Sequence, residues 1–240
     1  MRRVLAQARV ELTLTLRRAE SVLVSLGLPV LFLVFFSTVR VVPTGLGERA
    51  VEFLAPGVIA LAVMSVSMVG LGIATAFERQ YGVLKRLGAT PLGRPALLAG
   101  KTLTVVVVEV IQVSVLTVTG LLLGWRPSGS VLVVVGALVL GTMAFCGLGL
   151  LMAGALRAEV VLGVANGLYV VFLLLGGMIV PLDKLPEVVA DFARLLPAAA
   201  LSDLVHAGAS GGGVSMRSWI VLGLWAVVAP AVAARTFRWE

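Results

Sequence analysis

Residues 127–156 read PSGSVLVVVGALVLGTMAFCGLGLLMAGAL, a stretch without one charged side chain. A helix needs about 20 mostly apolar residues to cross the hydrocarbon core of a bilayer. The stretch therefore predicts a membrane-spanning helix, long enough to tilt or to include a short interfacial piece. It does not fit a β-barrel strand, because such strands are about 10 residues of strict alternation.

Five further runs have the same character. They occupy residues 21–39, 53–77, 102–125, 160–182 and 218–234, and Glu109 is their only charged residue. The whole chain is 60% apolar and 13% charged, against about 45–50% and about 25% in soluble domains. This composition excludes an ordinary soluble domain and a disordered chain. We predict an all-α integral membrane protein with six transmembrane helices in a single domain spanning residues 1–240.

Residues 1–20 differ from these runs because they are rich in charge. Apolar residues recur there at steps of three and four, and five arginines lie on the rest of the circumference. This pattern predicts an amphipathic helix on the membrane surface. A secretory signal is the competing interpretation, but the charged region is too long and no small-residue cleavage site follows.

The basic residues predict the orientation. With the N-terminus inside, thirteen of the 19 Lys and Arg residues fall in inner segments and six in outer ones. Because basic loops stay in the cytoplasm, both termini are expected to be cytoplasmic. The net charge of +7 is then mainly a topology signal, and a nucleic-acid partner is not expected.

The outer connection, residues 183–217, is too long for a simple turn. Two apolar-rich stretches, 187–196 and 198–206, lie between prolines and are each too short to cross a bilayer. We predict a re-entrant helical hairpin in the outer leaflet, with a surface loop as the alternative. His206, the only histidine, is expected to be a loop residue, and Cys146, the only cysteine, a packing residue.

Catalytic and metal-binding patterns are not found. Gly100, Lys101 and Thr102 form a Gly-Lys-Thr triplet, but Pro95 stands where a phosphate-binding loop needs glycine. We interpret Lys101 as an interfacial anchor. The chain shows no ATPase site, no catalytic pair and no set of metal ligands, so we predict neither an enzyme nor a bound cofactor.

Three polar residues within the spans are candidates for a substrate path. Glu109 and Gln112 are three residues apart and lie on nearly the same helix face, and Asn166 lies in the fifth span. A buried polar group in a membrane normally faces protein or water. An interhelical hydrogen bond is the alternative interpretation. The pairs Gly120 and Gly124, and Gly163 and Gly167, are expected to serve helix packing within the chain more than between chains.

The inner loop, residues 78–94, reads ERQYGVLKRLGATPLGR. Val83, Leu84 and Leu87 share one face of a short predicted helix, which Gly88 and Pro91 would end. A short cytosolic helix with apolar side chains and flanking charge suits a groove on another protein. A basic loop that touches lipid is the alternative.

This loop resembles the one after the second span in permease subunits of type-2 ABC exporters, particularly the daunorubicin-resistance-like group. The matching residues are Glu78-Arg79, Gly82, Leu84, Lys85-Arg86, Thr90-Pro91-Leu92 and Arg94. Gln80 and Tyr81 depart from the family pattern, in which a second charged pair is common. The order of parts along the chain also matches.

The resemblance implies a half-transporter in a bacterial or archaeal cell membrane. Two permease subunits, either identical or related, would pair, and each would engage a separate ABC ATPase subunit that binds ATP and Mg²⁺. The resemblance implies coupling to that ATPase through Glu78, Arg79, Gly82, Leu84, Lys85, Arg86, Leu87 and Pro91. The cargo would be a drug, a lipid or a lipid-linked glycan moved out of the cytoplasm.

Three other classes compete with an exporter subunit. An ion- or proton-coupled secondary transporter would use Glu109 as its proton site. An intramembrane enzyme would need paired catalytic groups that the chain lacks, and a membrane anchor for a partner complex would transport nothing.

Overall fold

The computed structural model describes residues 19–39, 50–88, 94–179 and 181–237, and these residues are helical with short connections. The predicted interfacial helix over residues 1–20 lies outside this part, except for its last two residues. The helices are α1 Ala19–Thr38, α2 Ala50–Met64, a π-helix Ser65–Gly70, α3 Leu71–Gln80, α4 Val83–Gly88, α5 Arg94–Leu122, α6 Val131–Ala155, α7 Ala158–Leu175, a 3₁₀ turn Leu182–Lys184, α8 Glu187–Ala193, α9 Pro197–Ser210 and α10 Met216–Thr236.

Five helices are long and apolar enough to cross a membrane, which confirms the all-helical membrane fold. They are Ala50–Gln80, Gly100–Leu122, Val131–Ala155, Ala158–Leu175 and Met216–Thr236. The first apolar run forms α1, whose segment Leu26–Thr38 is an apolar helix shorter than these five. The count of six spans therefore stays a prediction.

The helix ends differ from the predicted ones where the backbone changes direction. The fifth span ends at Leu175, seven residues before the predicted end, and Gly177 follows with a φ of 67°. That left-handed conformation favours glycine and stops the helix. At the inner side, α5 begins at Arg94, so its first turns lie in what was predicted to be loop.

The second span is the most enclosed and contains the π-helix. Ser65–Gly70 interrupts an otherwise α-helical segment of 31 residues. Gly149 of α6 packs directly on this segment, because a Cβ there would lie 2.7 Å from the Met68 carbonyl oxygen. Because glycine has no side chain, the backbone of α6 at Gly149 comes close to the main-chain carbonyls of the wider π-helix.

The outer connection forms the helices α8 and α9, and α9 is not a loosely packed loop. Most of its residues are buried, among them Leu201 and Leu204. It packs against α6, α2 and α10. Its end is tied to the connection between α5 and α6, where the Ser128 and Gly129 amides donate to the Ala209 carbonyl at 3.0 and 3.1 Å.

The two predicted glycine pairs differ in their surroundings. Gly120 packs on Trp125 and Ala55 within the chain, in agreement with the prediction. Among the described residues, no atom lies within 4 Å of a Cβ added at Gly163 or Gly167. The expected packing of this pair within the chain is therefore not seen in the described part of α7 and its neighbours.

Gly57→Ala is expected to destabilise the fold. A Cβ at Gly57 would lie 2.0 Å from the Met178 carbonyl oxygen, so α2 and the segment that follows α7 would have to separate. We expect a loss of about 2 kcal/mol or more, seen as a lower thermal midpoint of the protein in detergent. The control is Gly223→Ala, which meets nothing within 4 Å and should be neutral or stabilising by up to about 1 kcal/mol. Equal midpoints for the two variants would contradict the packing described here.

Candidate functional site

The predicted coupling helix follows directly on the inner end of the second span. Helix α3 ends at Gln80, and Gly82 has a φ of 70° with its amide donating to the Arg79 carbonyl at 3.0 Å. A left-handed residue at this position is a common helix ending, and glycine adopts it without strain. The chain turns there into the short helix α4. Gly82 thus sets the direction of the predicted coupling helix.

The turn between α3 and α4, residues 78–85, is called the inner corner. Glu78 connects the inner corner to the third span. Its carboxylate lies 2.5 Å from the Lys101 ammonium group of α5, and the Lys101 side chain is only 3% exposed. The interpretation of Lys101 as a simple interfacial anchor was incomplete, because its charge is enclosed and paired. A buried ion pair is costly to break from one side only, since the remaining charge has no compensation.

Arg79 holds the same corner to the fourth span. Its guanidinium donates to the Gly154 carbonyl at 2.7 Å and to the Leu156 carbonyl, at the last turn of α6. The last carbonyls of a helix have no partner within the helix, and a basic side chain there satisfies them. The Gln80 amide donates to the Glu159 carboxylate of α7 at 2.7 Å. Gln80, which departs from the family pattern, thus connects the corner to the fifth span.

The surface of the corner differs from the predicted one at Leu84. Leu84 is 1% exposed, so its side chain packs inside the protein and is not on its surface. Tyr81, at 70% exposure, and Val83 are the exposed apolar side chains, and Lys85 is exposed beside them. The prediction paired Leu84 with Leu87 on the docking face, whereas the turn at Gly82 directs Leu84 inward. Arg86 and Leu87 belong to α4, but their side chains, and Pro91, lie outside the described part.

The three candidates for a substrate path do not lie together. Glu109 and Gln112 are buried on α5, and the Thr142 hydroxyl of α6 donates to the Glu109 carboxylate at 2.6 Å. Asn166 lies on an exposed face of α7 and bonds only to the Leu162 carbonyl of its own helix among the hydrogen bonds described. This geometry favours the interhelical hydrogen bond as the role of Glu109.

Three features of the structure were not found from the sequence. Thr142 is one of many hydroxyl residues in apolar runs, and only its position opposite Glu109 distinguishes it. Tyr81 was noted as a departure from a pattern and not as a contact surface. His206 lies on α9 with both ring nitrogens near main-chain carbonyls, which no local sequence signal indicates. Within the described residues, no group of three or more His, Cys, Asp or Glu side chains could hold a metal ion.

The Glu78–Lys101 pair gives a stability test. Glu78→Gln should lower the free energy of unfolding by about 2 kcal/mol, because it removes the carboxylate paired with the enclosed Lys101 ammonium group. The double variant Glu78→Gln with Lys101→Met removes both charges and should recover most of that loss. Thermal unfolding of the purified protein measures both. A double variant less stable than Glu78→Gln alone would show that the pair is not what fixes Lys101.

Comparisons with known proteins agree with this geometry. The model of the family described as ABC-2 type transporter matches residues 3–208. A protein of Bacillus subtilis (strain 168), named as the transport permease YvfS, is 28% identical over 201 residues, which are 80% of this chain and 79% of that protein. The daunorubicin resistance ABC transporter permease protein DrrB1 of Streptomyces coeruleorubidus is 30% identical over 202 residues, 80% of this chain and 70% of that one.

The family match covers most of the chain, including the inner corner, four of the five helices long enough to span a membrane and most of α9. The helical architecture fits a membrane subunit of a transporter. The chain therefore belongs to the ABC-2 type transporter family and is a membrane transporter permease subunit.

Proposed function

We propose that this chain is the permease subunit of an ATP-driven exporter, with the ATP and Mg²⁺ bound by a separate ABC ATPase subunit. The observation that carries the proposal is the inner corner. An exposed tip made by Tyr81, Val83 and Lys85 is held to the membrane helices by a buried ion pair and side-chain hydrogen bonds. Such a tip is suited to receive force from a partner and transmit it.

The corner contacts four spans at once. It continues the second span through α3, meets the third through Glu78 and Lys101, and meets the fourth and fifth through Arg79 and Gln80. A displacement of the tip would therefore be shared among these spans and not absorbed by one loop. Gly82, Lys85 and the residues Arg86, Leu87 and Pro91 remain proposed contributors to the docking surface, and Leu84 anchors α4 from inside.

The pairing, orientation and cargo follow from the family and from the sequence. We propose two permease subunits in a bacterial or archaeal cell membrane, with both termini in the cytoplasm because inner segments hold most of the basic residues. The exposed face of α7 with Gly163, Asn166 and Gly167 is consistent with a second subunit beside it. A hydrophobic or amphipathic cargo fits a transporter whose relative is named for daunorubicin resistance.

The docking surface is tested with a matched pair of exposed valines. Val83→Asp places a charge at the centre of the proposed contact, so co-purification with the ATPase subunit should fall at least tenfold. Val188→Asp is the control, because Val188 is 84% exposed on α8 at the opposite, outer side. Both variants should match the wild type in thermal stability. Equal ATPase recovery with both would contradict the assignment of the tip.

Transport itself is tested in proteoliposomes that contain the permease with and without its ATPase subunit. Flux of a hydrophobic dye should require the ATPase and hydrolysable ATP. Glu109→Gln should keep that flux within about twofold, because glutamine retains the shape and a hydrogen bond to Thr142. Flux driven by a proton gradient without ATPase, and lost in Glu109→Gln, would instead support the secondary transporter.

A further inference from the structure

A cavity of about 330 Å³ lies where the end of α8, the helix α9 and the first turn of α10 meet. The apolar part of its lining includes Ala199 and Ala200, which are each 2% exposed. Its polar lining contains three charged side chains, Arg194, Asp203 and Arg217. Ligand pockets measure about 300–1,000 Å³, so this cavity has room for a small polar group and not for a large cargo.

The carboxylate in the lining already has a partner. The Ser218 hydroxyl donates to Asp203 at 2.5 Å and thereby joins α10 to α9. The Ser218 amide donates to the hydroxyl oxygen of Ser215, the residue that caps α10, at 3.4 Å. These two bonds fix the first turn of α10 beside the cavity, and they place Arg217 on that turn.

The two arginines have donors to spare. Among the described residues, Arg217 has no hydrogen-bond or ion-pair partner. Arg194 donates to Asp191 at 2.9 Å, but that pair is on the surface, with side chains 47% and 69% exposed. An exposed pair of this kind contributes little free energy. A guanidinium has five N–H donors, so both arginines can bind a further anion.

The balance of charge in the lining favours an anion. Two guanidinium groups line the cavity against one carboxylate, and they come from α10 and from the end of α8. The planar guanidinium matches two oxygens of a phosphate group, which makes arginine the preferred residue for such ligands. The first turn of α10 adds main-chain amides and the positive end of a helix 21 residues long.

The cavity lies at the level where lipid headgroups are found. Helix α10 is a membrane-spanning helix that begins at Met216, and the cavity adjoins its first turn. Exposed apolar side chains continue from there along α10, with Met216 at 72% and Ile220 at 63% exposure. Leu195, next to Arg194, is 53% exposed, and its carbonyl accepts a hydrogen bond from the Trp225 indole of α10 at 3.0 Å. A polar cavity is thus followed by an apolar surface, as a lipid requires.

We propose that this cavity binds the phosphate group of a membrane phospholipid, with the guanidinium groups of Arg194 and Arg217 contacting the phosphate oxygens. The acyl chains lie along the exposed apolar residues of α10. Asp203 suits a headgroup that carries an ammonium group beside its phosphate. The inference goes beyond the proposed function, which assigns no ligand to this end of the bundle.

Lipid binding is measured by native mass spectrometry of the full-length protein in a mild detergent, with phosphatidylethanolamine as the titrated lipid. Arg217→Gln removes the charge and the fork of donors, so the affinity of the tightest lipid site should fall about tenfold. Arg126→Gln is the matched control. Arg126 is exposed in the connection between α5 and α6, which is bonded to the end of α9, and it does not line the cavity. It should bind the lipid as the wild type does.

Two further ligands separate the parts of the lipid. Diacylglycerol with the same acyl chains lacks the phosphate and should bind equally to the wild type and to Arg217→Gln. Inorganic phosphate alone tests whether the site takes a free anion. If inorganic phosphate binds in an Arg217-dependent manner and the lipid does not, the lipid is overturned as the ligand. Equal lipid affinity in the wild type and Arg217→Gln, or an equal loss in Arg126→Gln, overturns the site itself.

The lipid site and the proposed function fail separately. Arg217 and Arg126 are both exposed, so equal thermal midpoints of the two variants and the wild type show that each protein is folded. The binding measurements use neither the ATPase subunit nor a transported substrate. Loss of the lipid site would leave the exporter proposal standing, and absence of ATP-dependent flux would not bear on lipid binding.

Discussion

The hydrocarbon core of a bilayer offers no hydrogen-bond partner to a free main-chain group, and the described structure follows from this constraint. Long helices satisfy their own amides and carbonyls, so the apolar runs become helices. Where the ladder is irregular, another part of the protein compensates. Gly149 packs on the carbonyls of the π-helix, and Arg79 satisfies the end of α6. These irregular places are where the helices contact one another most specifically.

The two ends of the second span illustrate how such compensation produces function. At the inner end, Glu78, Arg79 and Gln80 each reach a different neighbouring helix. Three consecutive residues at a helix end point in different directions, so one short segment joins several spans. Near the other end, the same span packs against α9, and His206 of α9 lies 2.9 Å from the Phe53 carbonyl oxygen. The second span is thus connected to neighbouring helices at both ends.

Much of this architecture could be predicted from residue order alone. Apolar runs and their charge-poor composition predicted the helical membrane fold, and the motif around Gly82 predicted a short helix after the second span, which the structure contains. The details of that loop could not be predicted. Leu84 and Tyr81 are both large side chains with apolar surface. The left-handed turn at Gly82 lies between them, and Leu84 is inside while Tyr81 is outside. The same limit applies to Asn166, which faces away from Glu109 because it lies on another side of another helix.

The sequence by itself determined the class of protein. The length of an apolar run decides whether it can cross a bilayer, and the positions of the charged residues bear on its orientation; both are local properties of the sequence. Tertiary structure decided which polar residues meet. Lys101 became one half of an ion pair and Glu109 the partner of Thr142, although their partners lie 23 and 33 residues away. His206 became a contact between helices that are 153 residues apart in the chain. These pairings depend on how helices pack and rotate against one another, and that is a property of the whole fold.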